Sequence, residues 1–329
     1  MKNLYFAKKR VLILVSLLFG AASSLFAQQE VMYSQYMFNT LALNPAYAGS
    51  RDVLSLTAVG RYQWLQSIDG APRTHSFTLD MPIKNEKMGI GLIAYNDAIG
   101  VAANTGINLA YSYRFKVGQK TTMALGVQPT YTNVSQKLSQ VRNIDLADGI
   151  FGKDITSNLF NAGLGLYLSN DKAFFSFSVP QIIEQKYGSG DTAKGRIRRH
   201  YFAMAGFVIG KGNVKVKPSA MFRYSGGSNV GVDLNANIWF KDKIALGFSG
   251  RKSQTALYGQ EFVDAIVGMF EVQLTPQLRL GYAYDYNTTR LNTNNGLLSQ
   301  SLVSTPTHEW LLRYEFGYGK SKILTPRYF

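Results

Sequence analysis

The chain has 329 residues, 46% of them hydrophobic and only 17% charged, a balance that excludes a disordered chain and a coiled coil. It contains no cysteine, which excludes disulfide scaffolds, thiolate zinc sites and cysteine nucleophiles. Its 31 Gly, 20 Tyr and 20 Phe favour strands and turns over helices, and its formal net charge is +15.

The first 27 residues have the pattern of a signal peptide. Basic residues at 2–10 precede an apolar run at 11–19, and small residues lead to a predicted cleavage after Ala27. An uncleaved membrane anchor is the alternative, but the run is shorter than the ~20 residues of a spanning helix. Cleavage lowers the formal charge from +15 to +11. For an exported chain this charge favours an anionic membrane leaflet or an acidic partner protein over nucleic acid.

Residues 28–52 separate the signal peptide from the first predicted strand. Asn44 and Pro45 predict a turn, and aromatic residues such as Tyr36, Phe38 and Tyr47 are costly to leave exposed. We therefore expect this segment to pack against the fold that follows it, or to contact a partner directly.

The strongest pattern in the rest of the chain is strict alternation of apolar and polar residues, as in residues 107–115, 230–238 and 278–287. Such runs exceed the ~5–6 residues of a usual strand and match the ~9–11 residues of a tilted strand that crosses a bilayer. The fourteen candidate strands are Val53–Tyr62, Thr74–Met81, Lys87–Asn96, Asn104–Val117, Thr121–Tyr131, Asn158–Ser169, Ala173–Val179, Arg199–Gly210, Val214–Tyr224, Asn229–Phe240, Lys243–Lys252, Asp264–Thr275, Leu278–Asn287 and His308–Phe316.

The connections between these strands alternate in length. Every second one is short, whereas 132–157, 181–198 and 288–307 in the other set are long, and only 225–228 in that set is short. Short periplasmic turns and long outer loops are typical of outer-membrane barrels, in which the sheet must close because lipid offers no hydrogen-bond partners. The sequence therefore predicts an all-β fold: a transmembrane β-barrel of about 14 antiparallel strands.

The predicted barrel covers residues 53–316, and residues 317–329 form a C-terminal periplasmic tail. A barrel of this size has a lumen, which the pattern leaves either open or plugged. Residues 28–52 would then fold against the periplasmic mouth or enter the lumen as a plug.

No catalytic constellation stands out. The three histidines, His75, His200 and His308, lack metal-ligand spacing. Asp145, Asp148 and Asp154 share one long loop and could hold Ca²⁺, although their spacing is not that of an EF-hand. We predict no catalytic, cofactor or metal site, and therefore no enzyme.

One long connection contains a glycine-rich stretch followed by a basic cluster. The glycine-rich stretch 188–195 lacks the Gly-Lys-Ser/Thr of a phosphate loop and is predicted to be a flexible outer loop. Lys194, Arg196, Arg198 and Arg199 form a basic cluster at its end. This cluster is either solvated loop charge, a site for lipid headgroup phosphates, or a contact for an acidic face on a secreted partner.

Both ends of the mature chain carry family motifs. Residues 35–50 read Gln-Tyr-Met-Phe-Asn-Thr-Leu-Ala-Leu-Asn-Pro-Ala-Tyr-Ala-Gly-Ser, the last strand opens with His308-Glu309, and the chain ends in Thr325-Pro326-Arg327-Tyr328-Phe329. This pattern resembles the PorP/SprF family of outer-membrane proteins of the type IX secretion and gliding-motility system. The resemblance implies assistance in the export or surface attachment of secreted proteins. SprF-like members are paired with large adhesins whose C-terminal sorting domains they recognise, and PorP-like members associate with periplasmic components.

Our functional hypothesis is a non-enzymatic barrel in the cell outer membrane, needed for export or surface anchoring of a secreted adhesin. The alternative is a general diffusion porin or solute channel. Expected partners are the adhesin's sorting domain, other type IX secretion components and outer-membrane lipid, but no nucleic acid. The candidate partner-contact residues are Tyr36, Phe38, Asn44, Pro45, Tyr47, Arg196, Arg198 and Arg199.

Overall fold

The computed structural model describes residues 32–64, 70–83, 86–141, 154–188, 195–226, 230–253, 264–288 and 306–316. Its strands are β1 Ser55–Tyr62, β2 Arg73–Ile83, β3 Met88–Ile99, β4 Ala102–Lys116, β5 Thr122–Gln136, β6 Ile155–Ser169, β7 Ala173–Val179, β8 Gln185–Tyr187, β9 Gly195–Ile197, β10 His200–Phe207, β11 Val214–Ser225, β12 Gly231–Phe240, β13 Ile244–Ser253, β14 Ala265–Gln273, β15 Leu278–Asn287 and β16 Thr307–Glu315. Within the described residues, no helix is long and apolar enough to cross a membrane.

Fourteen of these strands form one closed antiparallel barrel. Each pairs with its neighbour along the chain, β7 pairs with β10, and β16 pairs with β1 to close the sheet. Each matches one of the predicted strands. The main difference in length is at β5, which continues to Gln136 and pairs there with Ile155 of β6. The hairpin thus extends past the end predicted from alternation alone.

The remaining two strands, β8 and β9, pair as a small hairpin inside the connection between β7 and β10. The prediction that 188–195 is simply a flexible loop is therefore wrong at Gly195, which lies in β9; residues 189–194 are outside the described part. The ring of Tyr187 lies over Gly195, where an added Cβ would come within 2.2 Å of it. This packing gives the short hairpin an apolar contact of its own.

Connection lengths confirm the alternating pattern. The short set consists of residues 84–87, 117–121, 170–172, 208–213, 241–243 and 274–277. The opposite side has the long connections, and we call it the outer side because barrels of this kind place short turns in the periplasm. One detail was wrong: Gly100 and Val101 alone join β3 to β4 on the outer side, so 225–228 is not the only short connection there. Gly100 has φ +56°, which suits a tight hairpin turn.

The two faces of the wall differ in chemistry. Outward side chains are mainly apolar and aromatic, and several large ones are exposed, for example Phe248 at 62% and Trp310 at 58%. This is the surface that lipid covers. Inward side chains are mostly small or polar, and charged ones such as Asp285 and Glu309 are buried.

The apolar core lies inside the barrel. Residues 32–52, which we call the plug segment, occupy the lumen with short 3-10 turns at Thr40–Ala42 and Pro45–Tyr47. Nearly every side chain from Tyr33 to Gly49 is buried. The segment was expected either at the periplasmic mouth or in the lumen, and the structure shows it in the lumen.

Candidate functional site

The plug segment runs along the lumen from its outer half to its periplasmic end. Near its start, Ser34 Oγ donates to Asp285 Oδ2 at 2.8 Å, and Asp285 lies near the outer end of β15. Near its end, Arg51 Nη1 lies 3.0 Å from Glu315 Oε1, and Glu315 pairs with Ser55, the first residue of β1. The chain therefore enters the wall only after it has passed down the interior.

Two carboxylates, Asp285 and Glu309, hold the outer end of the plug segment, and we call them the carboxylate clamp. The backbone N–H of Ser34 donates to Glu309 Oε2 at 2.8 Å, and that of Gln35 donates to Oε1 at 2.7 Å. Arg61 on β1 bridges both acids, at 2.9 Å from Asp285 and 3.0 Å from Glu309. A buried ion pair is more stable when its other polar atoms are also satisfied, and here the plug backbone donates to both carboxylate oxygens of Glu309.

Glycines on the inner wall let the middle of the plug segment approach the sheet closely. A Cβ added to Gly126 on β5 would lie 2.2 Å from the backbone nitrogen of Ala46. A Cβ added to Gly165 on β6 would lie 1.9 Å from Asn44 Oδ1. Any larger residue at either position therefore collides with the plug segment.

The same arrangement continues on β3 and β4. A Cβ added to Gly89 would lie 2.0 Å from the carbonyl oxygen of Ala48, which also accepts a hydrogen bond from Ser112 Oγ at 2.7 Å. Gly49 follows with φ +69°, and its N–H donates to Asp80 at 3.0 Å. We call Gly89, Gly126 and Gly165 the glycine groove.

Asn44 connects the plug segment to two strands, β6 and β7. Its Oδ1 accepts from the N–H of Ala46 at 2.9 Å, which caps the turn that begins at Pro45. Its Nδ2 donates to Ser176 Oγ at 2.7 Å and to the carbonyl of Leu166 at 2.9 Å. The side chain that the sequence marked as a turn initiator therefore also anchors the turn to the wall.

The aromatic residues of the plug segment pack within the lumen. Phe38 makes an edge contact with Trp239, and Tyr47 makes one with Tyr167 at 5.3 Å between ring centroids. Tyr36 is fully buried. Burial raises the pKa of the Tyr36 and Tyr47 hydroxyls, so both rings stay uncharged.

The candidate arginines lie elsewhere, on the outer connection between β7 and β10. Arg196 pairs with Glu184, Arg198 donates to the carbonyl of Gly226, and Arg199 Nε donates to the carbonyl of Ile182 at 2.7 Å. Their guanidinium groups thus brace the hairpin rather than converge on one ligand. The structure therefore divides the eight candidate residues into a luminal set and an outer set.

Within the described residues, no group of three histidine or acidic side chains could hold a metal ion. Asp154 is exposed and accepts hydrogen bonds from Ser139 N and Oγ, at 3.0 and 2.8 Å, and its pKa is lowered by them. Asp145 and Asp148, the other two candidate calcium ligands, are outside the described residues, as is the C-terminal motif.

Sequence reasoning missed the ligands of Asp285 and Glu309, and it missed the glycine groove. A signal was present in each case. Gly89, Gly126 and Gly165 occupy inward positions in strands whose residues alternate between apolar and polar. Glu309 directly follows His308 in the motif that opens the last strand. Neither signal identifies the plug segment as the contact.

The fold is similar to solved outer-membrane proteins at low identity. The toluene transporter TodX of Pseudomonas putida is 10% identical with a TM-score of 0.46, over 88% of this chain and 95% of that one. Omp33 of Acinetobacter baumannii is 9% identical with a TM-score of 0.44, over 80% and 98%. A FadL homologue of Pseudomonas aeruginosa is 12% identical with a TM-score of 0.45, over 86% and 94%. A search of curated proteins finds no match.

The family model for the type IX secretion system membrane protein PorP/SprF matches residues 25–305. This match spans the plug segment and all barrel strands except β16. Together with the closed barrel it fixes the compartment and the system. The chain is an outer-membrane β-barrel that belongs to the PorP/SprF family of type IX secretion system membrane proteins.

Proposed function

We propose that this barrel is needed for the export or cell-surface anchoring of a secreted adhesin, whose C-terminal sorting domain it recognises on its outer side. The role requires no catalytic step and no cofactor. The cargo of this barrel would then be one class of secreted protein, the adhesins. Other components of the type IX secretion system would bind its periplasmic side.

The observation that carries this proposal is the plug segment in the lumen. A general diffusion porin conducts through a water-filled interior. Here Tyr36, Leu41 and Tyr47 fill interior space and are almost fully buried, and the segment is anchored at both ends. A barrel whose interior is occupied in this way favours a recognition role over solute diffusion.

The outer hairpin is the surface that we assign to the partner. Lys186 and Arg196 are exposed on β8 and β9, and the ties made by Arg198 and Arg199 hold that hairpin over the barrel. A basic hairpin whose strands are tied to neighbouring carbonyls suits an acidic face on a secreted domain. Tyr36, Phe38, Asn44, Pro45 and Tyr47 could touch a partner only after the plug segment leaves the lumen, so their partner contact stays a prediction.

The test compares adhesin display in cells that carry charge-reversal variants. Lys186→Glu together with Arg196→Glu should lower the amount of adhesin that antibodies detect on intact cells, while the barrel remains heat-modifiable in gels. The matched control is Lys172→Glu on the periplasmic turn 170–172, which should leave display unchanged. Unchanged display in cells that lack the barrel altogether would refute the proposal.

The porin alternative is tested separately by conductance. The purified chain should be silent in planar bilayers because the plug segment occupies its lumen. A steady, large conductance of the unmodified chain would favour the porin. A silent barrel combined with loss of adhesin display in the barrel-deficient cells would support the recognition role.

A further inference from the structure

The outward face of the barrel wall carries very few basic side chains. Among the described residues of the fourteen wall strands, Arg73, His75, His308 and Lys252 are the ones that point outward. Lys252 lies 3.7 Å from Asp264. The other three lie on β2 and β16, the two strands that flank β1. Three of four outward basic groups are therefore concentrated on one sector of the wall.

The strand register places two of these groups in one row. Tyr62 on β1 pairs with Arg73 on one side and with His308 on the other. Neighbouring strands are ~4.8 Å apart, so this row is about 10 Å wide. His75 lies one row below, where its Nε2 is 2.9 Å from the Tyr62 hydroxyl. These contacts bring the three basic groups around a single tyrosine.

The second row contains a notch. Gly60 on β1 lies between His75 and Trp310, its register partners on the adjacent strands. A Cβ added to Gly60 would meet nothing closer than the Tyr62 ring at 3.5 Å. The surface therefore dips between a histidine and a tryptophan, directly below the basic row.

The two histidines are held by tyrosines in a way that leaves one ring nitrogen of each available. His75 uses Nε2 toward Tyr62, and His308 uses Nδ1 toward the Tyr282 hydroxyl at 2.7 Å. Among the described residues, Nδ1 of His75 and Nε2 of His308 have no hydrogen-bond partner and remain for a ligand. A neutral or charged histidine can donate from such a nitrogen.

This sector lies at the outer rim of the membrane-facing wall. Arg73 is the first residue of β2 and Tyr62 the last of β1, at the side of the long connections. That height corresponds to the headgroup region of the outer leaflet. Among the described residues of β1, β2, β3, β15 and β16, no aspartate or glutamate points outward, so no acidic side chain there competes with an anionic ligand for this sector.

We propose that this sector binds a phosphorylated glycolipid of the outer leaflet. Arg73 grips the phosphate through its forked guanidinium, His75 and His308 donate to the remaining phosphate oxygens, and the notch over Gly60 receives the adjoining sugar or acyl carbon against Trp310. The positive charge of Arg73, the height of the sector at the lipid headgroups and the notch over Gly60 together favour a phosphorylated lipid as the ligand. The site is separate from the outer hairpin and from the plug segment.

The test measures lipid binding to the purified full-length mature barrel in detergent by native mass spectrometry. The probes are lipid A with both phosphates and the same lipid A after enzymatic removal of its phosphates. The unmodified barrel should retain the phosphorylated form about tenfold more tightly, as expected for a hydrogen-bonded charged pair. Equal retention of both forms would overturn the proposal without the need for any variant.

Two substitutions locate the site. Arg73→Gln should weaken binding of phosphorylated lipid A about tenfold, whereas the control Lys252→Gln should leave it unchanged. Gly60→Leu fills the notch without altering charge and should also weaken binding. Heat-modifiability verifies that each variant is folded. If Arg73→Gln binds as well as Lys252→Gln, or if millimolar inorganic phosphate displaces the lipid completely, the lipid site is rejected.

Discussion

The outer end and the middle of the plug segment are held by different kinds of chemistry. At the outer end the carboxylate clamp binds backbone amides through charge, and Arg61 balances both acids. In the middle and toward the periplasm, the glycine groove holds the chain by close approach of neutral backbone. The outer end therefore depends on charge and the middle on shape, and the ion pair between Arg51 and Glu315 holds the periplasmic end.

This difference has consequences for how the segment can move. Close packing loses contact energy steeply with distance, so the glycine groove holds the segment in one position or not at all. A charged contact weakens more gradually with distance. If the segment opens during secretion, we expect its outer end at Ser34 to loosen first, while Asn44 to Gly49 stays in the groove.

The largest effect is expected from filling the groove. Gly126→Ala puts a methyl group 2.2 Å from the Ala46 nitrogen, and a backbone cannot move away as the end of a flexible side chain would. We expect displacement of the plug segment at a cost of about 3 kcal/mol, the upper range for overpacking. Hydrogen exchange of residues 44–50 should rise strongly, and the barrel should conduct in planar bilayers.

Gly268→Ala is the matched control for this change. Gly268 lies in β14, and an added Cβ there meets nothing within 4 Å. This variant should leave both exchange and conductance as they are. Equal effects of the two substitutions would mean that the glycine groove does not hold the segment.

The second prediction concerns the carboxylate clamp. Glu309→Gln keeps the size of the side chain but removes its charge, so that Ser34 N and Gln35 N lose an ionic acceptor while Arg61 keeps Asp285. We expect a loss of about 2 kcal/mol, less than the full cost of breaking a buried pair because one acid remains. Exchange should rise at residues 33–36.

The same measurement distinguishes the outer end from the middle of the plug segment. Residues 44–50 should keep their protection in Glu309→Gln, since the glycine groove is intact. Uniform loss of protection along the whole segment would show that clamp and groove form one cooperative unit, and the contrast between them would then be wrong.

The sequence predicted the wall well because alternation is a property of each strand alone. All fourteen barrel strands were found, since runs of seven or more alternating residues leave little ambiguity. The hairpin of β8 and β9 was missed because three-residue strands such as Gly195–Ile197 contain too few alternations to be recognised.

The candidate site was predicted less completely, for a physical reason. Asn44 was identified as a turn residue from its neighbour Pro45, which is local information. Its contacts with Leu166 and Ser176 depend on where the segment lies inside the closed barrel. An inward glycine such as Gly126 differs little from an inward Ala or Ser until the plug segment is in position, so sequence alone could not distinguish its role.

A smaller effect is expected at Asn44. Asn44→Ala removes the cap on Ala46 N and the donor to Ser176 and Leu166, and leaves Gly165 unchanged. We expect a loss of about 1.5 kcal/mol, since the cap and the hydrogen bonds of Nδ2 are removed while the close backbone contacts at Gly89 and Gly126 are kept. Thermal unfolding followed by loss of heat-modifiability measures it. A loss as large as that of Gly126→Ala would contradict the view that shape dominates in the groove.

The smallest effect is expected at Ser178 on β7, whose Oγ donates to the carbonyl of Leu43 at 2.7 Å. Ser178→Ala removes one neutral hydrogen bond and adds no atom, so about 1 kcal/mol should be lost. Ser55→Ala is the control, because the Ser55 hydroxyl is buried without a hydrogen-bond partner among the described residues. That control should cost nothing, or even stabilise the barrel slightly, since it removes an unsatisfied polar group. If Ser178→Ala and Ser55→Ala destabilise the barrel equally, the hydrogen bond from Ser178 adds no stability beyond burial. The segment would then be held in the groove by packing of its backbone against the glycines alone.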